Sequence, residues 1–295
     1  MTDVKLTPNL SLYMVDVFGG GAMDGNPVAV VTGGEGLGDD EMARVTRWFD
    51  LSETVFLLPA TTPDADYRAR IFTPSRELPF AGHPTLGVCH VFAELFGRGG
   101  DAFVQECGAG LVTIRRTSEG LLSFAAPPLF RSGPASAAEL DEVVRFLGIT
   151  TDDVIDAAWI DNGPGWLGVR LASSAEVLEL SLAGSWPSEI NVGVVGPHET
   201  GDAEVDFEVR AFFSAPDGSI REDPVTGSLG ASTATWLRES GVVDGGYVAA
   251  QGTALGRNGR VRISFDAEGC AWVAGETFTH VAGSLDLGRL GGISG

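Results

Sequence analysis

RELPFAGHPTLG at Arg76–Gly87 and REDPVTGSLGAS at Arg221–Ser232 decide how this chain folds. Both open with Arg-Glu-x-Pro-x-x-Gly; His83 follows the glycine in the first copy and Ser228 in the second. Each motif runs into a segment with no polar face. Past its opening His-Pro-Thr, HPTLGVCHVFAELFG carries only His90 and Glu94 among its apolar residues, and GSLGASTATWLRESG has no charge before Arg238. Pro84 is acceptable in a first helical turn and Gly97 is a C-cap. A helix that is apolar or small all round is a buried one.

Outward from the motifs the echo continues. Arg70 and Phe72 match Arg210 and Phe212, Gln105 matches Gln251, and EGLLSF from Glu119 matches EGCAWV from Glu268. An ordered series of matches points to duplication, and two copies are too few for a solenoid. Strand-like runs such as LSLYMVDVF, NPVAVVTG, ETVFLLP and DYRARIFTP surround the first motif. AAWIDNG, GWLGVRL, EINVGVVG and AEVDFEVRAFFSA precede the second. GDDEMARVTRWFD and PASAAELDEVVRFLGIT read as helices, the first with acidic residues in its opening turn. The expected fold is α+β, with two pseudo-symmetric domains, each a barrel-like, mostly antiparallel sheet around a central helix. The break at PPLFRSGP sets the domains at 1–128 and 129–295, with a tail free to pack back on the first.

Composition narrows the function. The chain of 295 residues has 40 acidic and 19 basic side chains, a net charge of −21. Such a field repels phosphate backbones and anionic lipid, so no nucleic-acid or membrane partner is expected. Three cysteines without a CxxC, no leader pattern and no long apolar run predict a cytoplasmic protein. Four histidines without HxxxH or HxH spacing predict no metal site. The absence of GxGxxG after a strand, and of a Walker lysine, predicts no nucleotide cofactor.

The two glycine turns are the candidate site. A helix N-terminus offers unpaired N–H groups and partial positive charge, and glycine lets a ligand approach the backbone. Gly82-His83 and Gly227-Ser228 are therefore read as holders of a small anionic substrate. The bland alternative is a pair of tight turns with Ser228 as a helix cap. Asp223, between Glu222 and Pro224, suits a substrate amino group, or is a solvated turn carboxylate. Glu53 is a charge opening the apolar run TVFLL, a placement that suits either a strand-end carboxylate or a functional one.

GNPVAVV, LSETVFLL, RELPFAGHPTLG, REDPVTGS and QGTALGRNGRVRI, in this order, closely resemble the phenazine-biosynthesis isomerase (PhzF-like) family, whose fold is that of diaminopimelate epimerase. The resemblance covers nearly the whole chain. It implies a homodimer of cofactor-independent isomerases with the site between two similar domains. Glu53 then matches the catalytic acid/base, His83, Asp223 and Ser228 the other polar site residues, and Gly82 and Gly227 the turn glycines. The implied reaction takes a proton from a conjugated cyclic amino or hydroxy carboxylate and returns it elsewhere, as with trans-2,3-dihydro-3-hydroxyanthranilate. The related epimerases carry two opposed cysteines in these turns; here Cys89, Cys107 and Cys270 lie elsewhere, which disfavours a two-thiol racemase. The chain departs from the family pattern at Leu229-Gly230 and in SAPDGSIRED. Two other readings stand beside this one: an amino-acid epimerase or racemase, for which only His83 offers a second base, and a non-catalytic small-anion binding protein.

Overall fold

The computed structural model describes residues 10–182, 190–199, 204–214 and 219–288. The parts of the expected segments at Glu189, Ala203 and 215–218 lie outside the described residues. The chain divides into two compact units. Unit one is 1–16, 27–114 and 277–295; unit two is 17–26 and 115–276.

Unit one is built from β1 (Leu10–Val17), β2 (Asn26–Thr32), α1 (Asp39–Phe49), β3 (Thr54–Leu58), β4 (Tyr67–Phe72), β5 (Glu77–Leu78), α2 (Gly82–Phe96), β6 (Ala102–Cys107) and β7 (Gly110–Arg116). The last strand of the chain, Thr277–Leu285, also belongs here and is numbered β18. The strands β2 and β3 run parallel, joined through α1; β4 returns antiparallel to β3, and β6 lies parallel to β4. Met42 and Val45 of α1 cover Val31, Phe56 and Phe72. The helix α2 packs on β3, β4, β6 and β18. Every residue of β3 is buried, as a strand covered on both faces requires.

Unit two holds β8 (Leu122–Ala125), β9 (Arg131–Pro134), α3 (Ala137–Leu147), β10 (Asp156–Asp161), β11 (Trp166–Arg170), α4 (Ser174–Glu179), β12 (Asn191–Pro197), β13 (Phe207–Ser214), β14 (Ile220–Asp223), α5 (Gly227–Glu239), β15 (Tyr247–Gln251), β16 (Gly259–Phe265) and β17 (Ala271–Gly275). Its plan repeats that of unit one. The strands β11 and β12 are parallel with α4 between them, β13 is antiparallel to β12, and β15 is parallel to β13. The helix α5 packs on β10, β11, β16 and β17. On this helix Leu229 is 1% exposed. A Cβ on Gly193 of β12 would stand 2.3 Å from a Leu229 methyl, so the departure at Leu229 is a core knob fitted to a glycine.

The repeated Arg-Glu is a fold device. Phe72 lies opposite Glu77 in the β4–β5 register, and Phe212 lies opposite Glu222 in β13–β14. Arg70, two residues before Phe72, donates from Nε and Nη2 to the two Glu77 oxygens at 2.8 and 2.6 Å. Arg210 does the same to Glu222 at 2.9 and 2.8 Å. Each guanidinium also lies over its phenylalanine, 5.1 Å from the Phe72 centroid and 5.0 Å from that of Phe212. Two parallel bonds fix angle as well as distance, so each fork clamps the short strand that leads into its glycine turn. The copies match further out. Asp66 and Val104 exchange two hydrogen bonds of 2.8 Å, and Asp206 and Val248 exchange the same pair.

The forks differ in burial, and this sets their energies. Arg210 and Glu222 side chains are 8% and 11% exposed, and Arg210 also donates to the carbonyls of Leu180 and Val177. Those of Arg70 and Glu77 are 15% and 42% exposed. Removing one partner of a buried pair strands a charge at a cost of about 3–5 kcal/mol, against about 1 kcal/mol or less for an exposed pair. Glu222→Gln is therefore expected to lower stability several-fold more than Glu77→Gln in denaturant titrations, and equal losses would contradict the account.

Candidate functional site

Glu53 directly precedes β3, and Thr54 pairs with Phe72 on β4. That register holds the Glu53 backbone at the start of a strand that is buried throughout. His83 is the second residue of α2, which follows Ala81 in extended conformation with no side-chain cap. Alanine cannot cap, so the first-turn N–H groups of Gly82 and His83 get nothing from it. His83 Nε2 and Glu53 Oε2 stand 3.5 Å apart, with the side chains 6% and 16% exposed. That separation is contact without a strong hydrogen bond. Burial pushes the His83 imidazole down to about 3, so it is neutral at neutral pH. In this contact the carboxylate therefore faces a polar but uncharged group and not a fixed cation.

The second group gathers around α5 in unit two. Asp223 ends β14, and both of its carboxylate oxygens accept: Oδ1 from Asn26 Nδ2 at 3.0 Å, Oδ2 from the Thr226 hydroxyl at 2.6 Å. Enclosure pushes the Asp223 carboxyl up to about 6, while the bonds from Thr226 and Asn26 pull the other way. It is not the solvated turn carboxylate of the bland reading. Thr226 in turn donates its N–H to Gln251 Oε1 and accepts at its hydroxyl from Gln251 Nε2. Thr226, not Ser228, is the N-cap residue, and it makes no side-chain cap bond. Ser228 sits in the first turn after Gly227, where its hydroxyl accepts from the Trp166 indole N–H at 3.0 Å and its carbonyl from Asn162 Nδ2 at 2.9 Å.

Glu53, Gly82 and His83 thus form one group, and Asp223, Gly227 and Ser228 another. Sequence reading missed Asn26, Thr226, Asn162 and Trp166. Asn26 lies inside GNPVAVV, one of the stretches that carry the family resemblance, and Gln251 stands out in the sequence only as the repeat match to Gln105. In unit one Gln105 Nε2 donates to the Thr85 hydroxyl inside the first turn of α2, so both matched glutamines brace a helix start.

Chemically, the first group sets a carboxylate beside a neutral imidazole in a largely enclosed position. The second offers an enclosed carboxylate that suits a cation and a helix start that suits an anion.

The family described as phenazine biosynthesis-like protein matches residues 15–283. Antisense-enhancing sequence 1 of Schizosaccharomyces pombe is 33% identical over 293 residues, covering 92% of this chain and 97% of that protein. A Pasteurella multocida protein named as an uncharacterized isomerase is 28% identical, covering 95% of each chain. The crystal structure of a phenazine biosynthesis protein of the PhzF family from Enterococcus faecalis has a TM-score of 0.75 at 24% identity, over 95% of this chain and 100% of that one. This last likeness carries the fold, and it bears out the α+β, sheet-dominated class. With a match that spans almost all of its strands and both glycine turns, the chain belongs to the phenazine biosynthesis-like (PhzC-PhzF) family.

Proposed function

We propose that this protein is a cofactor-independent isomerase that uses Glu53 to take a proton from a small conjugated cyclic amino or hydroxy carboxylate and to return it elsewhere on the same molecule. The observation that carries the reading is the contact between Glu53 and a neutral His83 at the start of α2. A carboxylate locked to arginine, as Glu77 and Glu222 are, is a poor proton acceptor; Glu53 meets an imidazole that carries no charge. Trans-2,3-dihydro-3-hydroxyanthranilate is the substrate of choice, because it supplies each feature the groups would read. Its carboxylate suits the glycine-turn amides and Ser228, its amino group suits Asp223, and its acidic carbon suits Glu53. Family membership and the isomerase names of relatives support the reaction class. We further propose that the sequence halves 1–128 and 129–295 are copies of one ancestral unit, and that the protein works as a cytoplasmic homodimer. The amino-acid epimerase reading stays as the alternative; it needs a second base facing Glu53 across the ligand, and His83 lies beside Glu53, 3.5 Å away.

Glu53→Gln keeps shape and hydrogen bonding but cannot carry the proton. Turnover of trans-2,3-dihydro-3-hydroxyanthranilate is expected to fall by about 10²–10⁴-fold or more, with the fold intact by circular dichroism. A variant that turns over at the wild-type rate would make His83 the leading base. His83→Asn and Asp223→Asn are expected to lose both affinity and rate, as orienting and contacting residues.

The two buried titrating groups also leave opposite marks on stability. His83 is depressed from 6.5 to about 3, so the folded chain holds fewer protons than the unfolded one in that interval, and this residue's contribution grows as pH rises. Asp223 is raised from 3.8 to about 6, so the folded chain holds more protons there and its contribution shrinks as pH rises. Between pH 4 and 6 the two slopes oppose each other, each up to about 1 kcal/mol per pH unit. Relative to wild type, the Tm of Asp223→Asn should therefore climb as pH rises from 4 to 6, and that of His83→Asn should drop. Parallel curves for all three proteins would refute both assignments.

A further inference from the structure

The loop between β10 and β11, Asp161–Trp166, does more than turn the chain. Asp161 Oδ1 accepts from the N–H groups of Gly163 and Gly165 at 2.7 and 2.6 Å, and Gly165 takes a φ of 88° that favours glycine. The Gly165 carbonyl accepts from the Asn191 N–H at 3.0 Å, which ties the loop to β12. A loop braced in this way presents two side chains to one residue, Ser228. Asn162 donates to its carbonyl and Trp166 to its hydroxyl. Trp166 is 3% exposed and Asn162 8%, so neither hydrogen bond is in open water.

The direction of the Trp166 bond matters. An indole N–H is a donor only, so Ser228 Oγ must be the acceptor in this contact. A hydroxyl that accepts one bond is polarised to donate a stronger one, and its single proton is turned away from the donor. Among the described residues no side chain or carbonyl accepts that proton. Asn162 Oδ1, buried beside the same residue with no protein donor among the described residues, is itself an acceptor and calls for a donor, so it takes no part in holding a carboxylate oxygen.

Resting on the reading that Ser228 holds the substrate carboxylate, we propose that Trp166 is a positioning residue: its indole N–H commits the Ser228 hydroxyl to donate, so the start of α5 selects a ligand acceptor, a carboxylate oxygen, over a ligand donor.

The test is a double-mutant cycle read by isothermal titration calorimetry, with 3-hydroxyanthranilate as the probe ligand on the full chain. Ser228→Ala is expected to weaken binding about tenfold or more, and Trp166→Phe, which keeps the aromatic bulk but has no N–H, about 3- to 10-fold. In the Ser228→Ala background, Trp166→Phe is expected to cost nothing more, because the bond it removes is already gone. A purely structural tryptophan would give the same loss in both backgrounds, and that result, or wild-type affinity in Trp166→Phe, overturns the proposal while leaving the role of Ser228 intact. Undiminished binding by Ser228→Ala, or no binding by the wild type, overturns the underlying reading and the proposal with it. Should Trp166→Phe fail to fold, site-specific 3-benzothienylalanine at 166, which replaces the N–H by sulfur in the same outline, carries the same expectations.

Discussion

Each unit sets a helix without a polar face against its sheet, and such a helix cannot begin wherever it likes. Its first N–H groups must be aimed, and Ala81 and Thr226 make no side-chain cap. What holds the entry in place is the two-bond arginine–glutamate fork on the preceding strands, Arg70 on Glu77 and Arg210 on Glu222. The fork fixes β5 and β14, the Pro-x-x-Gly turn follows from them, and the helix start is carried to a set position. A cap would have consumed the donors; a clamp on the strand positions them without doing so.

The same logic sorts the carboxylates of the chain. Glu77 and Glu222 are tied to arginine and are structural. Glu53 meets a neutral imidazole, and Asp223 meets an amide and a hydroxyl. In an enclosed setting the charge of the neighbour decides chemistry: a carboxylate paired with guanidinium stays ionised and inert, whereas one among neutral dipoles can change its protonation or wait for a cationic ligand. The roles proposed above fall on two carboxylates outside the arginine forks, Glu53 and Asp223.

Much of this was legible in the sequence because the informative contacts are short-range and doubled. Arg70 meets Glu77 seven residues on, and Arg210 meets Glu222 twelve on, so a motif search finds both ends together. The apolar helices announce themselves by lacking polar faces. What stayed hidden is long-range or weakly patterned. Trp166 meets Ser228 across 62 residues, and Asn26 meets Asp223 across 197; a tryptophan in GWLGVRL reads as core until its N–H is seen to have a partner. The two-residue β5 and six-residue α4 are too short to show a period, and most of β18 is exposed, so alternation never forms. The matched segments EGLLSF and EGCAWV concealed a further fact: their strands, β8 and β17, pair with each other antiparallel, Phe124 opposite Val273.

The central claim is that one carboxylate both removes and returns the proton. It is tested most directly by turning over trans-2,3-dihydro-3-hydroxyanthranilate in heavy water and locating the label by NMR and mass spectrometry. The account predicts an isomerised product in which the receiving carbon carries substrate hydrogen in place of solvent deuterium, delivered to the same face of the molecule from which it was taken. Deuterium at the original carbon with inverted configuration would show two opposed bases and contradict it.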